Sequence, residues 1–208
     1  VSGSARIDGD FECNGFKSSG SLRSEGNLTI HGDFRSSGSF RLNGSLYGDG
    51  DARSSGSASV GGELLIKGTL RSSGSIRVRD KLEAIQGIRS SGSMRVQGDV
   101  FSQERIDIEG SVRIEGNIKG NDIFIGTSLR KAKRLVKDRF RVYGNIFATN
   151  TLDITGTKVE GDVRGRNVRI GRGAEISGAV FYIDSIEVHR QATVVNEPIQ
   201  IEVKEKEI

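Results

Sequence analysis

From Ser21 onward the chain falls into groups of six, SLRSEG, NLTIHG, DFRSSG, SFRLNG, SLYGDG and DARSSG, with glycine usually sixth. The second place is apolar in almost every group, running Leu22, Leu28, Phe34, Phe40, Leu46, Ala52 and onward to Ile118. The fourth is often apolar too (Ile30, Leu42, Val60, Ile66, Val78, Val96, Ile108, Ile114), whereas the third is mostly polar. Apolar residues alternating with a period of two mark a short strand buried on one face. Glycine at the sixth place permits the backbone angles of a tight corner. Each group therefore predicts one strand and one corner.

A longer period contains the short one. Lys17-Ser18-Ser19-Gly20-Ser21 returns as RSSGS at 35–39, 53–57, 71–75 and 89–93, always at the same interval, and Gly110 and Ser111 keep the phase. A fixed period defines the building block of a repeat fold. Three strands and three corners make one coil. The expected fold is all-β, a single-stranded β-helix forming a three-sided solenoid with about 18 residues per coil. At about 4.8 Å per coil, ten or eleven coils give a rod of roughly 50 Å.

Stacked coils align equivalent places into columns. Ser21, Ser39, Ser57, Ser75, Ser93 and Ser111 form one column, whose hydroxyls can bond along the stack or to the corner backbone. They read as a structural ladder, since no general base recurs beside them. Ser18, Ser36, Ser54, Ser72 and Ser90 occupy fourth places that point inward and mark a tight inner corner. Two further columns are basic. One runs Lys17, Arg35, Arg53, Arg71 and Arg89; the other runs Arg23, Arg41, Ser59, Arg77, Arg95 and Arg113. Like charges about 5 Å apart repel by roughly 0.8 kcal/mol even at the dielectric of water. Asp33 and Asp51, two residues before Arg35 and Arg53, are placed to offset part of this. The arginines are either a solvated face whose stems cover apolar surface or a stripe that docks an acidic protein, an anionic membrane surface or another polyanion.

The pattern divides the chain into a regular array over 1–127, a basic helical or loop insertion over 128–141, a continuing solenoid over 142–198 and a charged tail over 199–208. In the insertion, Leu129, Ala132, Leu135, Val136 and Phe140 approximate a helical stripe opposed by seven bases between Arg130 and Arg141. It reads as a lid on the rod or an anchor for an anionic surface. Strand alternation resumes with Phe140 and Val142, and Pro198 stops the ladder. Phe181, Tyr182 and Ile183 break the polarity of the late coils and are candidates for a polymer-end surface.

Composition adds little beyond this. Twenty-nine glycines, one proline and no tryptophan suit many corners and strands, where an interior proline would remove a ladder bond. The 34% hydrophobic content is low, yet it suffices for a thin core in which each coil packs only on its neighbours. The single cysteine, Cys13, rules out an intramolecular disulfide framework and fits a reducing compartment. No apolar run approaches the length of a membrane span, so the expected location is cytoplasmic, with peripheral membrane association open to the basic columns. Only His31 and His189 could serve as a general base, and they lie about nine coils apart. No glycine leads into a GK[ST] helix start. The expectation is therefore no enzyme: no catalytic, cofactor or metal residues and no small-molecule substrate. A hexapeptide-repeat acyltransferase, built from coils of the same length, is the remote enzymatic alternative.

The stretch VEGDVRGRNVRIGRGAEISGAVF (159–181), with short valine or isoleucine strands between Gly-Asp and Gly-Arg-Gly corners, resembles the bactofilins. These are a polymer-forming cytoskeletal family. The opening SGSARIDGDFECNGFKSSGS and the RSSGS array resemble that family's longer, Ser/Gly-rich branch. The resemblance covers most of the chain outside 128–141. It implies a right-handed β-helix, assembly end to end with copies of itself without nucleotide, and a scaffold role. The sticky ends would be the opening coil over 1–16 and the coils around 174–197.

Overall fold

The computed structural model describes residues 2–126 and 140–202, and all regular structure among them is strand. The protein is a β-solenoid of about ten coils with about 18 residues in each. Every pairing is parallel, and each strand pairs with its equivalent one coil away. Three ladders form the faces. The first begins Ser4–Ile7, Ser21–Ser24, Ser39–Leu42 and ends at Thr193–Val194. The second begins Phe11–Cys13, Leu28–Ile30, Leu46–Gly48 and ends at Ile199–Gln200, so Pro198 does not stop the ladder as expected and the first residues of the expected charged tail form a strand of the solenoid. The third begins Phe16–Ser18, Phe34–Ser36, Ala52–Ser54 and ends in the later part of Val180–Val188.

The six-residue pattern predicts the core well. Second and fourth places point inward, so Leu28, Ile30, Val78, Leu82 and Ile108 are fully buried, while the third places between them face solvent. At the N-terminal end the core is aromatic. Phe16 stacks on Phe34 at 5.7 Å between ring centroids, and Phe40 meets Phe34 edge-on at 5.0 Å.

The solenoid passes the insertion without losing register. Val112 pairs with Phe140 and Ile118 with Ile146, so one coil is lengthened while its ladders continue. The expected lid or anchor falls almost wholly outside the described residues. Its last two members, Phe140 and Arg141, open the strand Phe140–Val142. Farther on, Val163–Ile170 and Val180–Val188 each run through a corner and serve two faces, with a shift of register between Gly165 and Asn167.

The repeated corner glycines have a different cause from the one the sequence suggests. Left-handed backbone angles occur at Gly9, Gly87, Gly126, Gly156 and Gly173, and not at the RSSGS glycines. At those glycines the coil beneath leaves no room for a side chain: a Cβ on Gly56 would sit 2.0 Å from the carbonyl oxygen of Gly38. Close stacking, more than turn geometry, fixes glycine there.

The inner serine column is buried as expected, but its hydroxyls are poorly satisfied. Ser18, Ser36, Ser54 and Ser90 have no hydrogen-bond partner at Oγ, and Ser72 reaches only the Gly74 carbonyl at 3.5 Å. In later coils the same place holds Ile108, Ile125 and Ile154. A buried hydroxyl without a partner costs about 1–3 kcal/mol. Ser54→Ala should therefore raise stability by about 1 kcal/mol, read from thermal or denaturant unfolding; a loss of stability would show that the hydroxyl is bonded.

Candidate binding edge

Each RSSGS phrase turns one edge of the prism, between the third and first faces. The basic residue points outward from the third face, the next serine points inward, and the second serine is exposed on the corner. After the glycine, the last serine opens the first face, followed by an inward apolar residue and an outward arginine in most coils. The register aligns Lys17, Arg35, Arg53, Arg71 and Arg89 on one flank. On the other flank it aligns Arg23, Arg41, Ser59, Arg77, Arg95 and Arg113. The two basic columns thus flank one edge.

Their charges are compensated at the ends and open in the middle. Arg35 pairs with Asp33 at 2.9 Å, Arg23 with Glu25 at 3.2 Å and Arg89 with Asp107 at 3.8 Å. Arg113 lies 3.6 Å from Glu115 and over the Tyr143 ring at 4.8 Å. Among the described residues, Arg41, Arg53, Arg71, Arg77 and Arg95 make no ion pair. Asp51 makes no ion pair with Arg53 as its position suggests; its Oδ1 accepts the Thr69 backbone N–H at 2.9 Å. Asp33 does both jobs, accepting the Asp51 N–H at 3.1 Å and bonding Arg35. The backbone bond from Asp51, then Arg35, holds its carboxyl below the ordinary value.

A groove of about 790 Å³ runs along the third-face flank, from Lys17 past Arg53, Arg71 and Arg89 to Asp107 and Glu109. A second of about 580 Å³ follows the first-face flank past Arg41, Arg77 and Arg95. Both are open troughs lined by guanidinium groups and serines.

The remaining candidates are not brought together into a site. His31 is held between Glu12 at 2.5 Å and Asp49 at 3.0 Å, and these carboxylates, Glu12 foremost, raise its pKa above the ordinary 6.5. His189, just past the end of the strand Val180–Val188, accepts the Gln191 N–H. Among the described residues no cluster of three potential metal ligands occurs, and no helix is long and apolar enough to cross a membrane. Phe181, Tyr182 and Ile183 are half-buried in Val180–Val188. On that face they form the layer beneath the last strand, since Ile199 pairs over Phe181 and Gln200 over Tyr182.

Two features escape the sequence reading. One is a ladder of corner side chains to backbone: Asp10 accepts the Asn27 N–H, Asn27 that of Ser45, and Ser45 that of Glu63. The other is an outward column on the second face that alternates Phe101, Lys119, Phe147, Arg164 and Phe181. The insertion lengthens the step from Lys119 to Phe147 beyond an ordinary coil, which hides this column from a search at one fixed period.

The end coils differ from the rest. Among the described residues, the strands Ser4–Ile7 and Phe11–Cys13 pair only with the following coil, and Thr193–Val194 and Ile199–Gln200 only with the preceding one. Exposed large hydrophobics gather there, with Phe11 at one end and Val188, Val195 and Ile199 at the other. The fold and this edge define a β-solenoid repeat protein with a basic flank. No family model, no curated protein and no solved structure matches the chain.

Proposed function

We propose that the protein is a structural scaffold subunit whose rods stack end to end into a nucleotide-independent polymer, as the resemblance to bactofilins implies. The observation that carries this reading is the pair of end coils, whose strands pair on one side among the described residues, with Phe11 and Val188 exposed over the inward residues Leu28 and Ile170 of the neighbouring coils. Unpaired strand edges template further strands unless they are blocked. Stacking one end coil on the other would continue all three ladders and bury Phe11 and Val188, which stand at inward places.

Negative-stain electron microscopy without nucleotide tests it, at low and high salt. Filaments one rod wide are expected at both. Phe11→Lys and Val188→Lys, at exposed positions, should each leave single rods with an unchanged β-sheet circular dichroism spectrum. Isolated short rods from the unaltered protein, or filaments that persist in both variants, would sink the proposal.

A second reading, a binding module, is favoured by the uncompensated arginines at the centre of the basic edge.

A further inference from the structure

We propose that the Arg-Ser-Ser-Gly-Ser edge of the first five coils is a binding tract for a linear acidic polysaccharide. The inference stands apart from polymerisation, because it concerns the side of the rod and not its ends.

The molecule contains its own comparison. In later coils the arginine column of the third face continues as Asp107, Phe124, Asp153, Arg169 and Glu187, yet the ladder continues and the inner place stays buried through Ile170, with isoleucine in place of serine. Glu109 takes the corner place that Ser91 holds one coil earlier, as their equivalent backbone bonds to Ser90 and Ser72 show. The solenoid therefore does not require arginine and exposed serine at these places. Their unbroken recurrence over five coils, ending sharply at Asp107 and Glu109, is a feature of the surface. It also carries an electrostatic cost, since stacked guanidinium groups repel and the central ones lack ion-pair partners among the described residues.

The occupant follows from four properties of the tract. It is regular, with one cation per coil on the third-face flank, at about 4.8 Å. A pyranose ring advances a linear glycan by close to one coil height, so successive acidic sugars can keep step with successive arginines. A guanidinium fork matches a carboxylate or sulfate. The serine hydroxyls on the corner both donate and accept, which suits sugar hydroxyls and would be half wasted on polyphosphate, a chain of acceptors. Finally, the outward residues of the tract between Lys17 and Arg95 include no aromatic ring, so single-stranded nucleic acid would find no stacking platform.

A second copy of the chain is a poorer fit. No register among the described strands stacks acids in three successive coils, so the rod offers no column complementary to five stacked bases.

Calorimetric titration of the full chain with oligogalacturonate, and separately with heparin, tests the proposal and separates carboxylate from sulfate recognition. Binding to at least one is expected at about 50 mM salt, falling steeply towards about 200 mM as counterions are no longer released at a gain. Arg53→Gln/Arg71→Gln should weaken it at least about tenfold. Arg41→Gln/Arg77→Gln, on the opposite flank, provides an independent pair should the first disturb folding. Arg164→Gln, outward on the second face, should bind as the unaltered protein does. Absence of binding to both polysaccharides, undiminished binding by both paired variants, or tighter binding of an oligothymidylate of equal charge would overturn it.

Discussion

Alanine at Gly56 is expected to break the rod in its middle. The added methyl would lie 2.0 Å from the Gly38 carbonyl oxygen, with the Ser37 carbonyl oxygen at 2.7 Å. Both are backbone atoms held in the coil beneath, so no side chain can swing aside to relieve the overlap. The coils must part, and with them the pairing of Ser57–Val60 on Ser39–Leu42. Overpacking costs typically about 1–3 kcal/mol and sometimes more; against a fixed backbone the upper end applies, so about 3 kcal/mol or more is expected. Gly15→Ala is the control, because its nearest atom is the Asp33 carbonyl oxygen at an ordinary 3.8 Å. That variant should stay within about 0.5 kcal/mol of the unaltered protein. Thermal unfolding followed by circular dichroism distinguishes the two. If Gly56→Ala melts with the unaltered protein, the close stacking of corners is wrong.

The same glycine shows where sequence reading succeeds and where it stops. A glycine every sixth residue announces a corner, and alternation at places two and four announces which side chains are buried. Both are consequences of local geometry, and Leu28, Ile30, Val78 and Ile108 lie where the pattern puts them. Whether glycine is needed for its backbone angles or for its missing Cβ depends on the neighbouring coil, which is a full repeat away in sequence and invisible to a local argument. The acids illustrate the same limit. Asp33 and Asp51 occupy equivalent places and both accept a backbone N–H from the next coil, yet only Asp33 also meets its arginine. The basic edge is legible because it repeats at the fold's own period. The Phe101 to Phe181 column is not, since the insertion changes the spacing partway along. The late strands that run through a corner are hidden for another reason. Val163–Ile170 and Val180–Val188 turn without ending, the second with no glycine, and sequence alternation marks strands without marking where one face gives way to the next.

Phe34→Ala should instead detach the N-terminal coils while sparing the others. Phe34 lies between Phe16, stacked at 5.7 Å, and Phe40, edge-on at 5.0 Å, and is 4% exposed. Removing a buried phenyl ring costs about 3–5 kcal/mol. In a solenoid each coil contacts only its neighbours, so the loss stays near the site and does not spread over the whole chain. The first coils therefore open locally. Amide exchange should accelerate in Phe16–Ser18, Leu28–Ile30 and Phe34–Ser36 but remain slow in Leu82–Ala84, Ser93–Val96 and Ile106–Ile108. Uniform acceleration along the chain would show instead that the rod unfolds as one cooperative unit. The variant also separates the two roles argued for the molecule. Phe11 and its end coil belong to the part that opens, so filaments should be lost. Arg71 and Arg89 stand on coils that stay folded, so acidic polysaccharide should still bind. Loss of both together would mean that the edge depends on the end, and the rod would then act as a single device.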